Sequence, residues 1–405
     1  SQPCEVRIMV QPRLSACLRL AAMALVLALL QACASAPRQA LPMPPLMDEA
    51  FAPAPTLPSR EALMALTPAM REFLAQTVQP KVRALGAKDG LLKALYRDGE
   101  LRLQYDAEKT RTAAETFADG RGNCLSLVLM TAAFAQELQV PVYFRSVLVE
   151  PQWTRSASLI FQSGHVNLGL GTRLQERAFA GTLEAPVIVD FLPEEGSRSS
   201  RAVEVSAATI TAMFYNNRAA EQLNEGDVRG AYWWARAAVL ADAHFSAGFS
   251  TLAVLYRRQG RLDLAEQVLA QVLSHEPDNE VALANMVVVL REARRTADLG
   301  AYEARLAALR PEPPFKFFDE GREAMNRGEF RAADALFARE LARSSNNHEL
   351  HFWAALAKLA LGQQERAARH LALAAETSPT QGQQRIYQAK LQWLQAHTKP
   401  KERMQ

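Results

Sequence analysis

The chain contains three residues whose types and order are those of a nucleophilic triad. Cys124 is the only cysteine after Cys33, His165 is the only histidine before residue 212, and Asp190 is the only aspartate between His165 and that point. A thiol can act as the nucleophile, an imidazole as its general base, and a carboxylate as the group that orients the imidazole. The three residues therefore predict thiol-dependent chemistry if the fold brings them together.

The residues around Cys124, in the stretch DGRGNCLSLVLMTAAFAQEL, predict that it is the first residue of a helix. Gly120 and Gly122 permit a tight turn, and Asn123 is a favoured N-cap residue. The unpaired N–H groups at a helix N-terminus favour negative charge, which suits a nucleophilic thiolate. The alternative interpretation is that Cys124 is a small apolar residue that only contributes to packing.

The segments on both sides of this helix predict an α+β domain over residues 60–195. EALMALTPAMREFLAQTV has apolar residues at the three- and four-residue spacing of a helix. PVYFRSVLVE, HVNLGLG and PVIVDF are rich in β-branched and aromatic residues and are predicted to be strands. Helices followed by strands are typical of an α+β domain with an antiparallel sheet.

The motifs RGNCLSL, GHVNLGL and VIVDF, in this order, resemble the transglutaminase-like superfamily of papain-fold thiol enzymes. The resemblance covers roughly residues 85–195. It implies that Cys124 attacks an amide carbonyl, that His165 transfers the proton and that Asp190 orients His165. The resulting acyl-thioester is then transferred to water or to an amine.

The same resemblance implies an upstream residue that completes the oxyanion hole, and Gln104 or Tyr105 in LRLQYD is in a suitable position. The region lacks the acidic loop of the calcium-regulated cross-linking enzymes, so amide or peptide-bond hydrolysis is favoured over cross-linking. The alternative is that the domain keeps the fold without activity and that the protein is a binding scaffold.

The second half of the chain contains an internal repeat of 34 residues. The positions that keep this period are Gly226, Gly260, Gly328 and Gly362, then Ala231, Ala265, Ala333 and Ala367, and then Pro277, Pro311 and Pro379. The pattern resembles the tetratricopeptide repeat (TPR), which implies an all-α solenoid of five helix pairs over residues 212–381 and a capping helix within 382–405. The first and third units are degenerate, because Ala243 replaces the proline, and Arg294 and Leu299 replace the glycine and the alanine.

The TPR resemblance also implies a concave groove lined by the first helix of each pair. The residues at its groove positions are Asn216, Asn224, Ser250, Arg257, Arg258, Arg291, Phe318, Arg322, Asn326 and Phe352. Basic residues with a few aromatic ones suit an extended peptide that carries acidic and apolar side chains. The alternative is that these residues form an ordinary solvated surface.

The N-terminal region predicts export and lipid anchoring. A short basic region is followed by an apolar run from Leu20 to Leu30, which is too short to span a membrane and suits a signal peptide whose start is Met9. Leu30-Gln31-Ala32-Cys33 resembles a lipobox, which implies acylation of Cys33 and a location in the bacterial cell envelope, at the outer membrane facing the periplasm. The alternative is an ordinary signal peptide cleaved nearby. The Pro- and Ala-rich residues 34–59 are predicted to be an extended tether, and 196–211 a polar connector.

The net charge and the residues able to bind a metal restrict the classes of partner and cofactor that we expect. The formal net charge of +3 over 405 residues argues against a nucleic-acid-binding protein, because such a protein concentrates basic residues on one face. One cysteine and one histidine in the α+β region do not have the spacing of metal-ligand pairs. We therefore expect no cofactor and no metal, a protein or peptide as the ligand of the solenoid, and a membrane contact through the lipid anchor alone.

Overall fold

The structure is a computed structural model that describes residues 40–97, 101, 103–156, 159–172, 185–191, 202–309, 312, 315–378 and 381–397. The helices before residue 200 are α1 (Pro68–Phe73), α2 (Gln79–Leu85), α3 (Ala87–Leu92), α4 (Ala113–Asp119) and α5 (Cys124–Glu137). Short 3-10 turns occur at Asp48–Phe51 and Ala62–Met64, and π turns at Leu74–Val78 and Lys93–Arg97. The strands are β1 (Gln104–Tyr105), β2 (Arg121–Gly122), β3 (Val142–Ser156), β4 (Leu159–Leu170), β5 (Val187–Val189) and β6 (Ala202–Val205).

Helix α5 is the centre of the first hydrophobic core. Eleven of its residues, from Leu125 to Ala135, are buried without interruption. A helix that is apolar on all sides is typical of a core element. It packs with β4, whose Val166, Leu168 and Leu170 belong to the same core. Because α5 is enclosed, its first residue, Cys124, has a fixed position relative to β4.

The main sheet is antiparallel and has the strand order β5-β4-β3-β6. It includes strands at all three segments for which the sequence predicts them. Leu168 of β4 pairs with Val189, the last residue of β5. Asp190 directly follows β5 and therefore lies next to the part of β4 that precedes Leu168. A second, two-stranded sheet pairs β1 with β2 in parallel, with Tyr105 opposite Gly122.

The remainder of the described chain is a helical solenoid. Its helices are α6 (Ala207–Glu225), α7 (Val228–Ala241), α8 (Ser246–Arg258), α9 (Leu262–His275), α10 (Glu280–Glu292), α11 (Thr296–Leu309), α12 (Lys316–Asn326), α13 (Phe330–Leu341), α14 (His348–Ala360), α15 (Gln364–Glu376) and α16 (Gln381–His397). They form five consecutive pairs followed by α16, at the positions of the predicted cap. All four periodic alanines have no exposed surface, as the close approach of paired helices requires. Within the described ranges, no helix combines the length and the apolar character needed to cross a bilayer.

The degenerate third unit keeps the backbone geometry of the other turns. The glycine after the first helix of the other pairs has a positive φ, for example 74° at Gly260. Arg294 stands at this place in the third unit and adopts a φ of 57°. A side chain is strained in this left-handed region, so the solenoid imposes the turn even where the sequence has lost its glycine.

The first solenoid helix also belongs to the core of the α+β region. Helix α6 begins at Ala207, earlier than the predicted start of the repeats at 212, and Ser206 caps it by accepting a hydrogen bond from the backbone N–H of Thr209. Ile210, Phe214 and Tyr215 of α6 are buried in the same cluster as α5 and β4. The predicted connector therefore ends inside a helix that forms a wall of the first core.

The N-terminal strap, which we define as residues 41–58, packs against the solenoid. Phe51 has no exposed surface and stacks on Tyr232 with ring centroids 4.0 Å apart. The Tyr232 hydroxyl donates to Asp48 (2.7 Å) and accepts from the backbone N–H of Met47 (2.8 Å). Arg236 also donates to Asp48, at 2.8 Å, and these bonds lower the pKa of the Asp48 carboxyl although burial acts to raise it.

The strap lies within the predicted Pro- and Ala-rich tether, residues 34–59. The composition predicts an extended segment, and residues 41–58 of it pack against α7 and α8. The prolines keep the segment extended. The apolar side chains between them, of which Phe51 is the largest, find a complementary aromatic surface on the first repeat.

Candidate functional site

Cys124 is the first residue of α5, as the sequence predicts. The Asn123 carboxamide oxygen caps the helix by accepting from the backbone N–H and the hydroxyl of Ser126, both at 2.9 Å. The Asn123 amide nitrogen donates to the Thr110 hydroxyl at 2.8 Å, which ties the cap to the preceding loop. Cys124 is a free cysteine at the helix N-terminus and is only partly buried.

His165 and Asp190 are joined by a short hydrogen bond. The His165 Nε2 lies 2.6 Å from the Asp190 Oδ1, and the histidine side chain is only 4% exposed. This bond leaves Nδ1 as the ring nitrogen available to the Cys124 thiol. Burial acts to lower the pKa of His165, but hydrogen bonds and charge interactions with Asp190 and Cys124 raise it to about 9. The imidazole therefore favours its protonated form next to the Cys124 thiol.

Asn167 is a further site residue that the sequence analysis did not identify. Its amide nitrogen donates to the Asp190 Oδ2 at 2.9 Å, and the residue is 3% exposed. The two carboxylate oxygens thus bind different residues, Oδ1 binding His165 and Oδ2 binding Asn167. A polar residue two positions after His165 on one strand lies on the same face of the sheet, which is the sequence signal that could have found it.

Replacing Asn167 with alanine is expected to lower the reactivity of Cys124. The change removes a donor from Asp190, which leaves His165 less firmly oriented. A neutral donor to a carboxylate contributes roughly 1–3 kcal/mol. The alkylation rate of Cys124 at pH 7 should fall by up to about tenfold, because 1.4 kcal/mol corresponds to a factor of ten. The rate is measured by mass spectrometry after timed exposure to iodoacetamide.

A matched control for Asn167→Ala is Thr131→Val. Thr131 is also fully buried, and its hydroxyl donates to the Leu127 carbonyl at 2.7 Å inside α5. This variant should lower the free energy of unfolding without changing the alkylation rate of the folded protein. If both variants reduce the alkylation rate equally, Asn167 contributes to stability alone and does not position Asp190.

Tyr105 is the upstream residue that meets Cys124. Its hydroxyl interacts with the backbone N–H of Cys124, and burial together with the neighbouring Cys124 raises the pKa of the phenol above its ordinary value. The β1–β2 pairing places Tyr105 there, because the backbone N–H of Asp106 donates to the Gly122 carbonyl at 3.1 Å. Successive side chains of a strand point to opposite faces, so Gln104 faces away from Tyr105.

The loop in front of the site is connected to the solenoid. The backbone N–H of Thr110 donates to the Glu221 carboxylate of α6 at 2.7 Å, and Arg218 on the same helix donates to Glu221 at 2.6 Å. Burial raises the pKa of Glu221, while the bonds from Thr110 and Arg218 act to lower it. Because Thr110 also binds the cap residue Asn123, a chain of two hydrogen bonds links α6 to the start of α5.

The predicted groove residues have different environments. Arg257 pairs with Glu292 at 2.6 Å, Arg291 pairs with Glu303 at 2.8 Å, and Arg258 is exposed. Asn216 and Ser250 each have a buried side-chain oxygen without a hydrogen-bond partner among the described residues. The structure also describes Asn224 and Asn326, which lie near the ends of α6 and α12.

Phe318 differs from its predicted role as a groove residue. It is only 2% exposed, because its ring packs between Phe337 and Trp353 in the third core. The residue that faces outward above it is Arg322, whose guanidinium carbon lies 5.2 Å from the centre of the Trp353 ring. Phe352 lies between the last repeat and α16.

No group of three or more histidine, cysteine, aspartate or glutamate side chains is arranged to hold a metal ion in the described part of the chain. The donor set around Cys124 is one thiol, one imidazole and one carboxylate, with the imidazole bound to the carboxylate. The residues that are brought together therefore suit proton transfer and nucleophilic attack. Cys33 lies outside the described residues.

Comparison with known proteins finds similarity only among solved structures. No protein-family model and no curated protein matches the chain. YrrB, described as a TPR protein with an unusual peptide-binding site, is 16% identical with a TM-score of 0.24, and the match covers 44% of this chain and 92% of that one. MamA has the same identity and TM-score over 41% of this chain and 91% of its own. PilF of Pseudomonas aeruginosa is 17% identical with a TM-score of 0.28, over 47% and 87% of the two chains. TM-scores this low carry no conclusion about this chain.

Proposed function

We propose that the protein is a thiol-dependent enzyme of the transglutaminase-like type, which hydrolyses or transfers an amide-linked acyl group on a protein substrate. The single observation that carries the proposal is the position of His165, which interacts with the Asp190 carboxylate on one side and with the Cys124 thiol on the other. A histidine placed in this way is the usual means of activating a thiol nucleophile.

The proposed reaction assigns one role to each of these residues. His165 holds the proton of the Cys124 thiol at Nδ1, and the thiolate attacks the carbonyl carbon of an amide. The Tyr105 hydroxyl, which accepts from the backbone N–H of Cys124, donates its own proton in a hydrogen bond to the developing oxyanion. The imidazolium returns its proton to the leaving amine as the C–N bond breaks. Water, deprotonated by His165, then hydrolyses the acyl-thioester and restores the thiol.

The proposal is tested by looking for new protein N-termini. Proteins extracted from the bacterial cell envelope are incubated with the wild-type protein or with Cys124→Ala. Their free α-amino groups are then labelled and identified by mass spectrometry. Hydrolysis predicts termini that appear only with the wild-type protein, whereas transfer to an amine predicts new isopeptide links in the same comparison. Identical profiles for both proteins would contradict the enzymatic function.

A second candidate function is a protein-binding scaffold without catalysis. The observation that favours it is the solenoid itself, on which Arg258 and Arg322 are exposed at predicted groove positions. An extended peptide with acidic side chains pairs with these guanidinium groups. Under this function Cys124→Ala captures the same partners as the wild-type protein, and the double variant Arg258→Ala, Arg322→Ala captures them less well.

We also propose that the protein is held in the bacterial envelope, at the outer membrane facing the periplasm, by acylation of Cys33. The support is the short apolar run that ends at Leu30-Gln31-Ala32-Cys33. Cys33→Ala should move the protein from the detergent phase to the aqueous phase in a Triton X-114 partition, because the acyl chains supply the membrane affinity. Retention of the variant in the detergent phase would contradict lipid anchoring through this residue.

A further inference from the structure

A cavity of about 420 Å³ lies between the last repeat and the capping helix. Helix α14 lines it with Phe352 and Leu356, α15 with Leu371, and α16 with Ala389, Lys390 and Trp393. Its volume is within the range of small-molecule sites. The cavity lies at the far end of the solenoid, away from Cys124, and has no role in the chemistry proposed above.

The chemistry of the lining is strongly asymmetric. Among the described residues, Lys390 is the only charged side chain that lines the cavity, and all the other lining residues are apolar. The ammonium nitrogen of Lys390 lies 5.5 Å from the centre of the Phe352 ring, at the boundary of the apolar wall. No carboxylate of the described residues forms an ion pair with it. One end of an occupant therefore meets a cation, and the rest meets hydrocarbon.

The lack of polar groups discriminates between classes of occupant. A peptide that entered the cavity would bring backbone N–H and C=O groups, each of which costs free energy when it is buried without a partner. The lining offers no side-chain amide, hydroxyl or carboxylate to satisfy them. An alkyl chain carries no such groups, and one anionic end is sufficient to match Lys390.

We propose that the cavity between α14, α15 and α16 binds a single alkyl chain that ends in an anionic group, as in a fatty acid. The chain packs against Phe352, Leu356 and Leu371, and the anion lies at Lys390. Trp393, which is 61% exposed, lies at the opening and is covered when the ligand binds. This site is independent of the proposed enzymatic function.

The test uses the full-length protein with decanoate and dodecanoate below their micellar concentrations. Binding is measured by calorimetry and by the fluorescence of Trp393, taken as the difference between the wild-type protein and Trp393→Phe. Two additional buried methylene groups should tighten binding by about tenfold from decanoate to dodecanoate. Dodecanol should bind more weakly than dodecanoate, and dodecyltrimethylammonium more weakly still.

Two variants separate the apolar wall from the cation. Ala389 is exposed on α16, so Ala389→Trp fills the cavity without disturbing a core and should weaken dodecanoate binding by more than about tenfold. Lys390→Gln should weaken it by about two- to fivefold, the range of an exposed ion pair. Gln388→Trp, on another face of the same helix, is the matched control and should bind dodecanoate normally.

The outcomes are decisive in both directions. Saturable binding that depends on chain length and is lost in Ala389→Trp supports the site. Equal affinities for decanoate and dodecanoate, or normal binding by Ala389→Trp, would overturn it. Dodecanol that binds as tightly as dodecanoate would overturn the anionic preference, and an apolar peptide that displaces dodecanoate at equal concentration would make the cavity a peptide site instead. Melting curves confirm that each variant is folded.

Discussion

At pH 6, Cys124 is expected to react with iodoacetamide at least about tenfold faster than a free model thiol such as glutathione. An ordinary thiol is almost entirely protonated at that pH. In this protein Asp190 and Cys124 raise the pKa of His165 to about 9, so a charged imidazole lies next to the thiol at pH 6. The rate is measured by timed alkylation, with the modified site located by mass spectrometry.

His165→Ala should abolish this advantage. Without the imidazolium the thiol has only the helix N-terminus to favour its charged form, so alkylation should rise with pH as for a model thiol. The alkylation rate of Asp190→Asn should lie between the rates of the wild-type protein and His165→Ala. The carboxamide still orients the imidazole but does not stabilise its charged form. Wild-type alkylation that is no faster than glutathione, or that is unchanged in His165→Ala, would rule out an activated thiol.

The interaction of His165 with Asp190 also makes the stability of the protein depend on pH. The pKa of His165 is raised to about 9 in the folded protein, from an ordinary value of about 6.5. The contribution of the charged imidazole to the free energy of unfolding is therefore complete below about pH 6.5 and is lost as the pH rises through about 9. The difference in stability between the wild-type protein and His165→Ala should be larger at pH 6 than at pH 10, as measured by urea unfolding.

Phe51→Ala is expected to release the N-terminal strap and to destabilise the first repeat by about 3–5 kcal/mol. Phe51 is completely buried and stacks on Tyr232, so its removal leaves a cavity against the aromatic surface of α7. Hydrogen exchange of the α7 and α8 amides measures the local free energy of opening. The released strap, residues 41–58, should also become sensitive to proteases.

Met43→Ala is the matched control for this prediction. Met43 lies in the same strap but is 49% exposed, so its truncation should change the free energy of unfolding by less than about 0.5 kcal/mol. If Phe51→Ala exchanges its amides like the wild-type protein, the strap does not stabilise the first repeat, and the segment would then act as a free tether.

The arrangement of Cys124, His165 and Asp190 could be predicted from sequence because each was the only residue of its type in its region. The turn and cap before Cys124 are local signals, and α5 begins where they predict. Asn167 could not be singled out in the same way. Its role depends on the pairing of β4 with β5, which brings Asp190 beside it and is not encoded by neighbouring residues.

The sequence period predicts the positions of the solenoid helices, but it does not predict which side chains are exposed on their surface. The periodic glycines and alanines locate the helix pairs because the turn and the close helix contact each need a particular residue. The exposure of Phe318 is not set by its repeat position alone, since the neighbouring Trp353 and Phe337 enclose its ring. The docked strap was missed for a similar reason, because a Pro-rich composition predicts extension and does not reveal what the chain packs against.

The position of α6 has a consequence for modularity. Ile210, Phe214 and Tyr215 fill the core that surrounds α5, and Glu221 holds the loop in front of Cys124. A fragment cut at the connector would therefore lose one wall of that core and expose three large apolar side chains. The smallest fragment that contains Cys124 and keeps this core intact therefore extends at least to the end of α6.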